Sequence, residues 1–96
     1  MRITTNTVFR KCKDVVVRNI GTETVLVPVK KTLSEKDFIY SLNKTGTIVW
    51  NSIDGKNSVK NIVSILSAKV QLLPTIIEKD VLELMKNLLR EGLVSE

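Results

Sequence analysis

A chain of 96 residues with 43% hydrophobic content has the makings of one modest core and no room for a second domain. It contains no histidine and one cysteine, Cys12. The usual general base at neutral pH is therefore missing, an internal disulfide is excluded, and a single thiolate cannot supply the ligand set of a zinc or iron–sulfur site. The net charge of +5 lies wholly in residues 1–31, where Arg2, Arg10, Lys11, Lys13, Arg18, Lys30 and Lys31 stand against Asp14 and Glu23 alone. That end is either a basic patch for an acidic partner or an ordinary solvated face.

Taken from the start, Met1 to Asn6 carry a positive residue with no apolar region behind it, and no window approaches the roughly 18 apolar residues of a membrane span. The expectation is a soluble, cytoplasmic protein whose residues 1–13 form a flexible basic segment. Asp14 to Ile20 are dominated by β-branched side chains and predict a strand, closed by a turn at Gly21-Thr22. Glu23 to Val29 form its hairpin partner, with Pro28 marking a strand end or an edge. After the polar stretch Lys30 to Lys36, the segment Asp37 to Leu42 places Phe38, Tyr40 and Leu42 on one face of a third strand.

From Asn43 the apolar period lengthens towards 3.6. Asn43 is placed as the N-cap of a first helix, roughly residues 44–54, with Gly55 as its left-handed stop. Ser58 caps a second helix in which Val59, Ile62, Val63, Leu66 and Val70 recur at helical spacing. Leu72-Leu73-Pro74 breaks it. Thr75 with Glu78 three residues later predicts a capping box opening a third helix to about Arg90, which Gly92 closes. Three strands followed by three helices define an α+β fold, winged-helix-like, with a three-stranded antiparallel sheet.

The third helix carries more apolar side chains than one buried stripe requires. Ile77, Val81, Leu84 and Leu88 form one stripe, and Leu82, Met85 and Leu89 form a neighbouring one, which either is covered because the helix is central and buried on two sides or lines a groove for a partner, with Met85 as an adaptable contact. Strand three, if it lies at the sheet edge, leaves unpaired N–H and C=O groups from Lys36 to Ser41, an edge in need of protection or a partner.

The stretch Leu42-Asn43-Lys44-Thr45-Gly46-Thr47-Ile48-Val49-Trp50-Asn51-Ser52-Ile53-Asp54-Gly55 resembles the hallmark of PqqD-like proteins, a Leu-Asn-x-Thr-Gly-x-x-x-Trp segment closed by Asp-Gly. Asp14-Val15 with Arg18 and Val25-Leu26-Val27 upstream, and Asp80-Val81 and Glu91-Gly92-Leu93-Val94 downstream, follow the family's order. Asn43, Gly46 and Trp50 also have structural jobs of their own, as cap, close-approach site and core anchor, so these residues identify the fold without forming the site.

The resemblance implies a standalone recognition element for ribosomally made, post-translationally modified peptides. Such a protein is no enzyme and needs no cofactor or metal. It binds a precursor's leader segment and presents it to a modifying enzyme such as a radical SAM enzyme, a cyclase or a leader protease. The leader adds as a strand beside strand three, over the third helix, so that backbone bonds give affinity and side-chain pockets give selectivity. On that footing Phe38, Ile39, Tyr40 and Ser41 are the expected pairing residues, Leu82, Met85 and Leu89 the apolar anchors, and Lys36, Lys79 and Lys86 the partners of leader carboxylates. Alternation alone leaves open whether Ile39 or Tyr40 faces the groove.

A winged-helix DNA-binding domain is the rival reading, since the fold class and basic character are compatible with it. It calls for a basic, polar recognition helix, whereas the third helix mixes Glu78, Asp80 and Glu83 with Lys79, Lys86 and Arg90. A regulatory subunit that docks its enzyme through the basic N-terminal end is a further reading. An exposed third strand can also pair with its symmetry mate to give a homodimer.

Overall fold

The β-branched runs do form a hairpin in the computed structural model, which describes residues 3–28 and 39–96. The elements in chain order are β1 (Arg10–Lys11), β2 (Val15–Ile20), β3 (Glu23–Pro28), β4 (Tyr40–Leu42), α1 (Lys44–Ser52), α2 (Val59–Val70), α3 (Pro74–Arg90) and β5 (Val94–Ser95). An antiparallel sheet of order β2-β3-β4 precedes the three helices, as expected for the α+β class, and β1 pairs separately with β5.

Gly21 has φ +63° while Thr22 is not left-handed, the pattern of a two-residue type II′ turn whose twist suits a hairpin. It sets the register at Ile20 opposite Glu23, Arg18 opposite Val25 and Val16 opposite Val27. These are the pairs that exchange hydrogen bonds across a two-residue turn, so Val15, Val17 and Asn19 turn their backbone groups to the outer edge. On β3 the alternate residues serve β4, with Thr24 opposite Leu42 and Leu26 opposite Tyr40. Thr24, Leu26 and Leu42 are buried on the inner face, where α1 packs.

Asn43 caps α1 as expected, its Oδ1 accepting from the Gly46 N–H at 2.8 Å. A Cβ at Gly46 would stand 3.2 Å from both Cβ and Cδ2 of Leu42, so glycine here lets the strand-to-helix corner close tightly. The helix ends at Ser52, two residues earlier than predicted. Asp54 competes for the chain by accepting the N–H groups of Lys56 at 2.9 Å and Asn57 at 2.8 Å.

Ser58 caps α2 through its side chain, which accepts from the Asn61 N–H at 3.2 Å. The capping box expected at Thr75 and Glu78 does not form. Leu73 occupies the N-cap with no side-chain bond, and Pro74 begins α3, where its missing N–H costs nothing. At the other end the Leu93 N–H reaches the Leu88 carbonyl at 2.9 Å and the Gly92 N–H reaches Leu89 at 3.1 Å, a Schellman closure around Gly92 at φ +75°. That turn delivers β5 to β1.

Residues 5–12 bond to the start of α2 and to the loops that follow α1 and α3. The Thr7 and Thr5 carbonyls accept the first N–H groups of α2, from Val59 at 2.9 Å and Lys60 at 2.8 Å, donors that no helix can satisfy internally. Phe9 is buried, its carbonyl accepts from Gly55 at 3.1 Å, and Cys12 donates to Leu93 at 3.1 Å. The buried side chains form one cluster running from Phe9 through Trp50 and Ile62 to Leu88 and Val94.

Candidate functional site

The free edge of β4 follows from the register just described. Tyr40 and Leu42 direct their backbone groups at β3, so Ser41, and Ile39 by the same alternation, direct theirs away from the sheet. No strand pairs with that side among the described residues. The side chains alternate in the opposite sense. Tyr40 is half-buried against the core on the helix side, while Ile39 (61% exposed) and Ser41 face outwards. Of the two candidates for the groove, Tyr40 thus lies on the helix face of the strand and Ile39 on the opposite one. Lys36 and Phe38 lie outside the described residues.

On α3 the buried stripe is Ile77, Val81, Met85 and Leu88. This corrects two assignments. Met85 is fully buried, so it anchors the helix to the core and cannot serve as an adaptable contact for a partner. Leu84, placed in the buried stripe from sequence, is only half-buried. The correction arises because neighbouring stripes differ by one 100° step, and sequence does not say which step points to the centre of the core. Leu82 and Leu89, seven residues apart, remain as a half-buried shoulder against the core.

Beyond that shoulder, an open concavity of about 600 Å³ is lined by Thr75, Glu78, Lys79, Leu82, Lys86 and Arg90 together with Glu83 and Asn87. Three of the predicted site residues, Lys79, Leu82 and Lys86, are brought together there, and Leu89 and Met85 are not among its lining. Sequence reasoning missed Thr75, Glu78, Glu83, Asn87 and Arg90 as part of the surface. Their helical spacing with Lys79, Leu82 and Lys86 was the available signal. Arg90 is oriented by a 2.8 Å bond from its Nη2 to Asn87 Oδ1, with Glu91 3.9 Å from its Nε. One apolar side chain amid three cations and two carboxylates suits an extended peptide with an apolar anchor and flanking charges. It does not present the uniformly basic face that duplex DNA demands.

The basic N-terminal end meets the helices at Trp50. The Lys11 ammonium stands 5.0 Å from the indole centroid, a cation–π arrangement. Burial there lowers the Lys11 pKa from its ordinary value, with the Asp54 carboxylate acting in the opposite sense. Asp54 itself is held below the usual carboxylate range by the backbone N–H groups of Asn57 and Lys56 that it accepts. Among the described residues, no group of three or more acids or cysteines is placed to hold a metal ion. No helix among them is long and apolar enough to cross a membrane.

Residues 23–94 match the family model of Coenzyme PQQ synthesis protein D (PqqD). No curated protein sequence matches the chain. Among solved structures, TbiB1 in complex with the TbiA(beta) leader peptide is similar, with a TM-score of 0.76 at 19% identity, covering 90% of this chain and 94% of that one. At that identity the likeness establishes the fold.

Proposed function

Because this chain belongs to the PqqD family, we propose that it is a non-catalytic recognition element for a ribosomally made precursor peptide, adding the leader segment as a strand to β4 and presenting it to a modifying enzyme. The observation that carries the reading is the outer edge at Ile39 and Ser41, which no strand pairs among the described residues, in a domain whose α3 retains an apolar shoulder and a mixed-charge concavity. The structurally similar TbiB1 was solved in complex with a leader peptide, which supports a precursor peptide as the partner here. A strand making about four or five backbone hydrogen bonds at roughly 0.5–1.5 kcal/mol net each, with apolar anchors on Leu82 and Leu89, reaches about micromolar affinity once association costs are deducted. Affinity of that order suits a carrier that must release its cargo. The modifying enzyme is a radical SAM enzyme, a cyclase or a leader protease, and the protein acts in the cytoplasm.

The test is a calorimetric titration with synthetic leader peptides encoded beside the gene, at two salt concentrations and with a duplex DNA control. Saturable binding at about micromolar strength, with none to DNA, supports the proposal. Silence towards every leader, or salt-dependent DNA binding, overturns it. Self-pairing through β4 would occlude the same edge, so peptide and a β4-paired dimer are competitors in this scheme.

A further inference from the structure

The opposite edge of the sheet has a different character. Among the described residues β2 packs closely only on β3. Its outer edge presents the backbone groups of Val15, Val17 and Asn19, and Val16, Val17 and Ile20 are 43%, 42% and 65% exposed. A largely apolar edge of this kind is usually blunted by a lysine, a proline or a bulge, and none of these interrupts Val15–Ile20, whose one charged residue is Arg18. Of its two charges, Asp14 sits at the bend just before the strand and Arg18 within it, and neither has an ion-pair partner among the described residues.

We propose that β2 pairs with β2 of a second copy, antiparallel and about a two-fold axis at Val16, joining two three-stranded sheets into one. The register follows from the backbone. Outward-facing Val15 and Val17 must form the hydrogen-bonded pairs, which places Val15 opposite Val17 of the second copy and Val16 opposite Val16. The same register sets Asp14 opposite Arg18 of the second copy, twice by symmetry, at positions of the non-hydrogen-bonded kind, where opposing Cα atoms are closest at about 4.5 Å. Shifting the pairing by one permitted step, to Val17 opposite Val17, puts Arg18 opposite Val16 and Asp14 opposite Ile20, leaving both charges unmatched. The edge is thus self-complementary in one register, as an isologous interface requires. Because β2 and β4 lie at opposite ends of the sheet, this dimer leaves both β4 edges open.

Charge reversal tests it on the full chain. Sedimentation velocity should return twice the 10.8 kDa chain mass for the unaltered protein. Asp14→Arg and Arg18→Asp should each raise the dimer dissociation constant at least tenfold, by setting like charges opposite one another. The double variant Asp14→Arg/Arg18→Asp restores the opposed charges without altering the net charge of +5 and should recover the dimer. Near-UV circular dichroism of Trp50 verifies that each variant is folded. A monomer at every concentration up to hundreds of micromolar, a dimer indifferent to both single reversals, or a folded double variant that stays monomeric overturns the proposal. So does a dimer that leader peptide dissociates, since that would place the contact on β4.

Discussion

Ser41→Pro separates the free edge of β4 from its structural role. The Ser41 N–H faces away from β3, so proline there removes no bond of the β3–β4 ladder, and edge strands tolerate proline at outward positions. The preceding Tyr40 is already extended, the conformation that a following proline favours. Folding stability should therefore fall by no more than about 1 kcal/mol, a drop of roughly 4–8 °C in Tm for a domain of this size. An incoming strand suffers more. It loses one backbone bond, about 1 kcal/mol, and one of its carbonyls is left facing the pyrrolidine ring unpaired, about 1–3 kcal/mol further. The sum weakens leader binding by roughly 30- to 1,000-fold. The assay is calorimetric titration beside a thermal melt, with Tyr40→Pro as the contrast, because the Tyr40 N–H faces β3 and its removal breaks the ladder. A folded Ser41→Pro protein that binds the leader as tightly as the unaltered chain refutes strand addition at β4.

The two kinds of α3 side chain should part company. Leu82→Ala and Leu89→Ala should each weaken leader binding about fivefold or more, measured by fluorescence anisotropy, with stability losses below those of a core site. Met85→Ala, in a fully buried position, should instead lower stability by about 2–5 kcal/mol in chemical denaturation. Asn43→Ala removes the cap on the Gly46 N–H and should cost about 1 kcal/mol in the same assay. The carboxyl of Asp54 is held below its ordinary value of 3.8, so its contribution to stability is complete above that pH and is lost as pH falls through the lower folded value. Acid unfolding of Asp54→Asn should show a shallower dependence on pH below about 4 than the unaltered protein, and an identical profile contradicts that assignment.

Periodicity located the helices and the hairpin because each is a local device: Asn43 and Ser58 accept orphan amides within their own first turns, and Gly21 and Gly92 supply left-handed residues where the chain reverses. What stayed hidden depended on partners distant in the chain. The strands β1 and β5 are two residues long, too short for any alternation, and exist because the Gly92 closure brings Val94 alongside Lys11. The apparent capping box at Thr75 and Glu78 was overridden by Pro74, whose fixed φ starts the helix two residues sooner, with Leu73 as the N-cap. At the candidate site, the spacing of Lys79, Leu82 and Lys86 was readable as one face. The burial of Met85 was not, because the identity of the inward stripe is decided by how α3 lies on α2.

Amide hydrogen exchange with and without leader peptide tests the central claim most directly. On saturation with peptide, the Ser41 and Ile39 N–H groups, exposed on the free side of β4, should become protected at least tenfold, while the β2 amides of Val15, Val17 and Asn19 exchange as before. Protection of Ser41 and Ile39 together with shifts along Lys79, Leu82 and Lys86 is the predicted result. A bound peptide that leaves Ser41 exchanging freely, or that protects β2 instead, contradicts the account.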